Sequence, residues 1–295
     1  MKISVISFVG CLLMFCFGCS TPHFQKYASQ PSEMIGFGVD QSWMYIDMNK
    51  FGDEMVKAGV NTTSIGLFGC NKDKTETQTL PWGYYMDHFD EMKPTLTKFL
   101  DAMKKRRITV YVTITGWNHR NGNPDINTGK PSTICSGQYS LEWFNHILDY
   151  FIERGTDGIV LCTAGEPVPN YGDGGPCISK FYQFSNLLDT RWTGMKGWNL
   201  GVRPTSAPPG YFIEYHPQKS NERTPAGCIV LTDGPAASEF GNSDPVNPSI
   251  ENGPALQAFI KKINSEGKGF IWWGMSFNGK VVDYNGIKII GEAVK

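Results

Sequence analysis

The sequence predicts an α/β chain that folds as a (β/α)8 barrel, and three observations carry that reading. From residue 34 onward, short apolar runs alternate with amphipathic helical runs, the pattern of a parallel sheet with helical crossovers. The short runs are apolar throughout, as strands are when both faces are covered. The segments after them are long and carry Trp, His, Asp and Glu, as in barrels whose sites are built from loops at the C-terminal strand ends. The 295 residues hold 27 basic and 28 acidic side chains and 13% aromatics. Such an aromatic content with a net charge of only −1 excludes disorder. With no basic excess to neutralise phosphates, nucleic acid is not an expected partner. An open doubly wound sheet is the competing topology, but its Gly-rich first turn is missing, because the first strand runs into Asp40-Gln41-Ser42-Trp43.

The elements follow in order. Residues 34–39 (MIGFGV) read as the first strand. Residues 48–58 are a helix, with Met48, Phe51, Met55 and Val56 at helical spacing and Gly59 as its stop. Strand two is 62–68. A helix over 94–105 gathers Leu96, Phe99, Leu100 and Met103 on one face, and strand three is 108–115 (ITVYVTIT). A helix over 141–154 ends at Gly155, before strand four at 158–163 (GIVLCT). Residues 181–192 are helical, and strand five begins at 200–202. A further strand at 227–232 (GCIVLT), a helix at 255–263 closed by Gly267, a last strand at 268–275 (KGFIWWGM) and a final helix at 287–294 complete the count. Seven strands are legible. The eighth is either hidden in the irregular stretch 205–225 or missing, so the TIM barrel is complete or irregular.

The N-terminus carries an address. Lys2 is followed by an apolar run through Leu12, Leu13 and Phe15, too short to span a membrane and suited to a signal peptide over 1–18. Gly18-Cys19 and the polar stretch after it resemble a bacterial lipoprotein box, although Cys16 stands where Leu is usual. In that family the Cys is lipidated and becomes the first residue. The resemblance implies lipidation at Cys19 and a membrane-anchored location, periplasmic or at the cell surface; a polar linker over 19–33 then leads into the barrel domain over 34–295.

Five further cysteines show no metal-ligand spacing. Cys162 and Cys228 sit in apolar strand runs and read as small buried hydrophobes. Cys135 and Cys177 read as loop residues and are the better disulfide candidates in an exported chain. No metal or organic cofactor is implied.

Glu166 is the first candidate for chemistry, in Cys162-Thr163-Ala164-Gly165-Glu166-Pro167. It closes an apolar strand, where burial raises a carboxyl pKa and suits it to proton donation. A second carboxylate is needed to cleave a glycoside. Glu239 and Asp233 are the alternatives, and both follow from the strand over 227–232. Aromatic residues Trp43, Trp82 and Trp117 fall in strand-end loops, and Trp272 and Trp273 on the last strand, where alternation sends one inward and one against the helices. Sugar CH faces stack on such rings, and His119 adds a polar partner at strand three.

These residues resemble the clan A glycoside hydrolases, especially the family 5 cellulase and mannanase type of barrel. Residues 51–67 (FGDEMVKAGVNTTSIGL) resemble its first helix and second strand. Gly165-Glu166-Pro167 resembles the Asn-Glu-Pro that ends strand four, whose Glu is the acid/base. Glu239-Phe240-Gly241 followed by a helix and Ile271-Trp272-Trp273 resembles the nucleophile strand and the final strand with its stacking Trp. The chain departs from the pattern at three places. Gly165 replaces the Asn that bonds the sugar 2-hydroxyl, Leu67-Phe68-Gly69 lacks the expected Arg, and only 73 positions (239 − 166) separate the two Glu. A weaker resemblance is to family 18 chitinases. It rests on Ile114-Thr115-Gly116-Trp117 and Asp157-Gly158-Ile159, but Ala164 stands where those enzymes carry the Asp that orients the acetamide.

The resemblance implies an exported, lipid-anchored glycoside hydrolase acting on a polysaccharide by a retaining mechanism. Glu166 would be acid/base and Glu239 or Asp233 nucleophile. The alternative is a non-catalytic surface lipoprotein that binds glycan or a partner at a degenerate barrel mouth, and Gly165 in place of Asn favours it.

Overall fold

The computed structural model describes residues 26–39, 41–67, 89–114, 140–165, 174–199, 207–215, 227–233, 253–273, 282 and 284–294. Eight parallel strands close into a barrel in sequence order. They are β1 (Ile35–Gly38), β2 (Thr62–Gly66), β3 (Thr109–Thr113), β4 (Ile159–Gly165), β5 (Met195–Asn199), β6 (Phe212–Tyr215), β7 (Ile229–Asp233) and β8 (Gly269–Trp273). Among the described residues the α-helices are α1 (Met48–Ala58), α2 (Phe89–Lys105), α3 (Leu141–Arg154), α4 (Gly174–Arg191), α5 (Gly253–Ser265) and α6 (Tyr284–Ala293). β1 pairs with β2 on one side and with β8 on the other, in register from Ile35 with Phe270 to Gly38 with Trp273. That pairing removes both sheet edges.

The expected eighth strand is β6, inside the 205–225 stretch, so the barrel is complete. Strand five lies at Met195–Asn199 and not at 200–202. Its Met-Lys-Gly-Trp-Asn sequence is not an apolar run: Lys196 pairs with Asp189, Asn199 bonds Glu214, and Gly197 lies against Tyr111. α2 starts at Phe89 and runs through Pro94. Phe89 and Met92 extend its buried face, and a proline this near the N-terminus removes only one helical hydrogen bond. α4 likewise begins earlier than expected, at Gly174.

Local chemistry fixes the helix ends. The Asp47 carboxylate accepts from the Asn49 and Lys50 amides to start α1, and Gly59, at φ 80°, ends it. Ser140 caps α3 through the Trp143 amide.

The core has two shells. Between strands and helices lie Phe37 against Phe51, Phe144 stacked on Phe184 at 4.4 Å between ring centres, and Trp198 edge-on to Phe181 and Tyr211. Inside the barrel, Met34, Tyr111, Val160, Cys162, Ile229 and Ile271 pack together, with Met195 and Phe212 against them. Glycines make this lumen possible. A Cβ on Gly36 would stand 2.9 Å from Ile271, one on Gly38 2.6 Å from the Ser64 hydroxyl, and one on Gly197 2.6 Å from the Tyr111 hydroxyl.

Residues 26–34 seal the end of the barrel where the strands begin. The Ala28 amide donates to Thr109 Oγ1 at 2.9 Å, and the Tyr27 hydroxyl donates to the Lys104 carbonyl at 3.3 Å. A Cβ on Gly158 would overlap the Tyr27 ring, and one on Gly269 would overlap the Pro31 carbonyl. Asn61 ties the seal to β1, donating to the Glu33 carbonyl and accepting from the Ile35 amide.

Gly197→Ala is expected to lower stability by about 1–3 kcal/mol, the usual cost of overfilling a packed core. Urea unfolding checks it: the midpoint should fall while the slope stays at the wild-type value.

Candidate active site

In a β/α barrel the site is built where the strands end. Those ends here are Gly38, Gly66, Thr113, Gly165, Asn199, Tyr215, Asp233 and Trp273. Glycine closes three of them, β1, β2 and β4.

β4 is the longest strand and carries an irregularity. Cys162 pairs with Gly197 of β5, but the next paired position is Gly165 with Asn199, so three steps on β4 match two on β5. Such a bulge inserts one residue and resets which residues share a face. It lies immediately before Glu166 in the chain. Lower on β4, Cys162 lies in the lumen, while the Thr163 hydroxyl is 2.8 Å from Ser185 on α4. Two buried contacts on opposite faces therefore fix the strand just below the bulge.

The sequence-predicted residues divide as follows. Asp233 closes β7, and its backbone pairs in register with Trp273 at the end of β8. Trp43 does not line the mouth. It is fully buried, its indole N–H donates to the Gly66 carbonyl at 3.0 Å, and it packs edge-on to Phe99. Trp272 is also fully buried, in the cluster between strands and helices, while Ile271 before it lies in the lumen. Alternation therefore assigns Trp272 to packing, which corrects its expected role as a sugar platform. Cys177 lies within α4 and not in a loop. Glu166, Glu239, Trp82, Trp117, His119, Cys19 and Cys135 lie outside the described residues. Cys162 and Cys228 are buried, as expected.

The structure adds a polar group that the sequence reading missed. Glu214, third residue of β6, is only 3% exposed. Asn199 Nδ2 donates to Glu214 Oε1 at 3.2 Å. The Tyr111 hydroxyl shares this space with the Cys162 thiol and Glu214. Burial, reinforced by these two acidic groups, pushes the Tyr111 phenol well above its ordinary value. A carboxylate in a barrel interior needs such donors. The signal for it was a Glu inside the apolar run Tyr211-Phe212-Ile213-Glu214-Tyr215, at a position paired with Asn199 on one side and Ile229 on the other. Among the described residues, no cluster of His, Cys, Asp and Glu could hold a metal ion.

No family model matches the chain, and no curated protein does. Solved structures do resemble it. A GH5-4 broad specificity endoglucanase from an uncultured bacterium superposes with TM-score 0.54 at 9% identity, over 92% of this chain and 97% of its own. A glycoside hydrolase family 5 enzyme from Prevotella bryantii B14 gives 0.54 at 10% identity, over 92% and 99%. A GH5-4 broad specificity endoglucanase from Bacteroides salanitronis gives 0.51 at 10% identity, over 92% and 97%. At these identities the likeness establishes the barrel fold, which by itself carries many chemistries.

The Tyr111 phenol gives a pH signature. An unfolded chain gains phenolate above about pH 10, whereas the folded one holds Tyr111 protonated. Its contribution is fully present below that pH and is lost as pH rises. Tyr111→Phe is expected to flatten the loss of stability between about pH 10 and 11, measured by urea unfolding across that range.

Proposed function

We propose that this chain is a glycoside hydrolase acting on a polysaccharide, with Glu166 as general acid/base and Asp233 as nucleophile. One observation carries the proposal. β4 ends at Gly165, the residue before Glu166, and β7 ends at Asp233, and these strands stand three apart in a ring of eight. Strands so related face each other across a barrel mouth, the arrangement in which two carboxyls flank one glycosidic bond. The resemblance of Gly165-Glu166-Pro167 to the end of strand four in family 5 enzymes points the same way, as do the endoglucanase names of neighbours that share the barrel. Asp233 is preferred to Glu239 because the seventh strand ends at Asp233, whereas Glu239 comes six positions later (239 − 233).

In this reading Glu166 protonates the leaving oxygen while Asp233 attacks the anomeric carbon. Glu166 then acts as base toward water, which releases the sugar with its configuration retained, provided the carboxyls stand about 5 Å apart. The buried Glu214–Asn199 pair supplies a fixed, hydrogen-bonded polar group beneath the mouth. Trp82, Trp117, Trp273 and His119 are the sugar contacts in the proposal. The chain is exported and held at the membrane through lipid on Cys19.

Glu166→Gln keeps the shape and removes the proton donor, so turnover of an unactivated glycoside should fall by roughly 10²- to 10⁴-fold. Substrates with good leaving groups should lose less in the first step. Wild type and variant are compared on β-glucan, mannan, xylan, chitin and peptidoglycan. Equal activity on any cleaved polymer removes Glu166 from the mechanism. Binding without cleavage by wild type identifies a non-catalytic glycan-binding barrel. Asp233→Asn and Glu239→Gln, assayed side by side, separate the two nucleophile candidates: the larger loss marks the nucleophile.

The anchor has its own test. Cys19→Ala is expected to leave the protein in the soluble fraction after cell disruption, whereas wild type sediments with membranes and partitions into detergent.

A further inference from the structure

We propose that the face of the barrel where the strands begin docks on an anionic lipid surface, so that the mouth points away from the membrane toward polymer. The inference rests on the lipid-anchored reading above and names the partner surface and the orientation.

Two observations lead to it. The first is where the chain enters the fold. Residues 26–34 are bonded across the strand-start end, through Ala28 to Thr109, Tyr27 to Lys104 and Asn61 to Glu33. Residue 26 stands seven positions after Cys19 (26 − 19). Seven residues reach at most ~25 Å when fully extended. A domain of this size is roughly 45–50 Å across. The tether is thus too short for the opposite face, which carries the mouth, to swing onto the membrane. It enters beside the seal and holds that end against the headgroups.

The second is the charge on that end. The turn from α2 into β3 carries Lys104, Lys105, Arg106 and Arg107 in succession. Arg106 is turned inward, with its guanidinium on the Asp53 carboxylate at 2.8 Å, the Ala102 carbonyl at 2.9 Å and the Asn49 side chain at 3.2 Å. Lys104, Lys105 and Arg107 are exposed. Arg107 holds a left-handed backbone at φ 54°, which marks the tight turn that projects the group from the end of the barrel. Lys57 at the end of α1 and Lys26 beside the seal are both 78% exposed, each with one carboxylate beyond 3.3 Å. The acidic groups at the same end are Asp157, Glu33, Glu54 and Glu266, with Glu153, Asp189 and Glu292 in the last turns of α3, α4 and α6, where Asp189 meets Lys196 and Glu292 faces Lys288. Glu33 is committed to the Ser29 amide and hydroxyl, both at 2.8 Å, and Glu266 to Lys268. Asp157 lines the same hollow as Lys104 and Tyr27, so the sector of Lys104, Lys105 and Arg107 sets three cations against one carboxyl and stays basic. Basic residues held near an anionic leaflet each add attraction that decays within a Debye length, so a short tether is what makes them effective. No described helix is long and apolar enough to cross a membrane.

The test is lysine footprinting of the full lipidated chain on vesicles, using a water-soluble acylating reagent and mass spectrometry. On phosphatidylcholine vesicles containing about 30% phosphatidylglycerol, labelling of Lys104 and Lys105 should slow about fivefold or more relative to pure phosphatidylcholine. Lys50 and Lys93, near the helix starts at the mouth end, should label at equal rates on both. About 0.5 M salt should abolish the difference. The combined variant Lys104→Gln, Lys105→Gln, Arg107→Asn should stay vesicle-bound through its lipid, with Lys26 and Lys57 returned to their phosphatidylcholine rates. Flotation of the same samples separates the two readings. A chain that floats but shows no protection at Lys104 and Lys105, or equal protection at Lys50 and Lys93, overturns the docking inference and leaves the anchor standing. A chain that does not float overturns the anchor and the docking with it.

Discussion

An eight-stranded parallel ring has an interior only wide enough for side chains, and here that space is divided between a few large residues and a set of glycines. Tyr111, Ile271, Phe212 and Met34 occupy it, and Gly36, Gly38 and Gly197 carry no side chain because those atoms are already there. The rest of the structure depends on this division. Closure through β1 and β8 requires β1 to approach Ile271 and Ser64 closely, which only glycine at 36 and 38 allows. Outside the ring, Phe37, Trp198, Phe270 and Trp272 alternate with those lumen positions and bind the strands to the helices.

The fold was legible because its determinants are local and periodic. The helical spacing of Phe51 and Met55, the stop at Gly59 and the apolar runs of strands three and four needed no tertiary knowledge. The misreadings arose where tertiary packing overrides the pattern. β5 reads as Met-Lys-Gly-Trp-Asn, and its glycine makes sense only beside Tyr111 on β3. β6 has four residues and a carboxylate in the middle, so it lacks an apolar signature. Trp43 looked like a loop aromatic. Its burial depends on the Gly66 carbonyl and on Phe99, contacts that sequence spacing does not encode.

The candidate site was legible in part, for a related reason. A carboxylate that follows an apolar strand is visible in one dimension, so Glu166 and Asp233 could be named. Which carboxylates stand across from each other depends on strand count and order. That count required β6, the strand with the weakest signal. With β6 present, β7 is the seventh strand, and the comparison between Asp233 and Glu239 acquires a structural basis. The bulge on β4 was beyond sequence reasoning altogether, since it exists only as a mismatch between two paired strands. The buried Glu214–Asn199 pair shows a second use of the lumen. Its lower part is filled by apolar groups, while nearer the strand ends it holds a carboxyl group with a designated donor.

The seal formed by residues 26–34 bears on how the molecule reaches its final state. It precedes the whole barrel in the chain, yet it touches Gly269, and the Met34 carbonyl accepts from the Phe270 amide of the last strand. Ile35 and Phe270, which are paired, lie 235 positions apart (270 − 35). Contacts of such separation form late, because the entropy of closing the intervening loop must be met before they contribute. During vectorial emergence the seal therefore waits for a partner that arrives near the end, with the unclosed edges of β1 and β7 exposed to pairing with other chains meanwhile. Under the proposed export and lipid anchoring, that interval is spent tethered beside a lipid surface, which confines the unpaired strands to one plane.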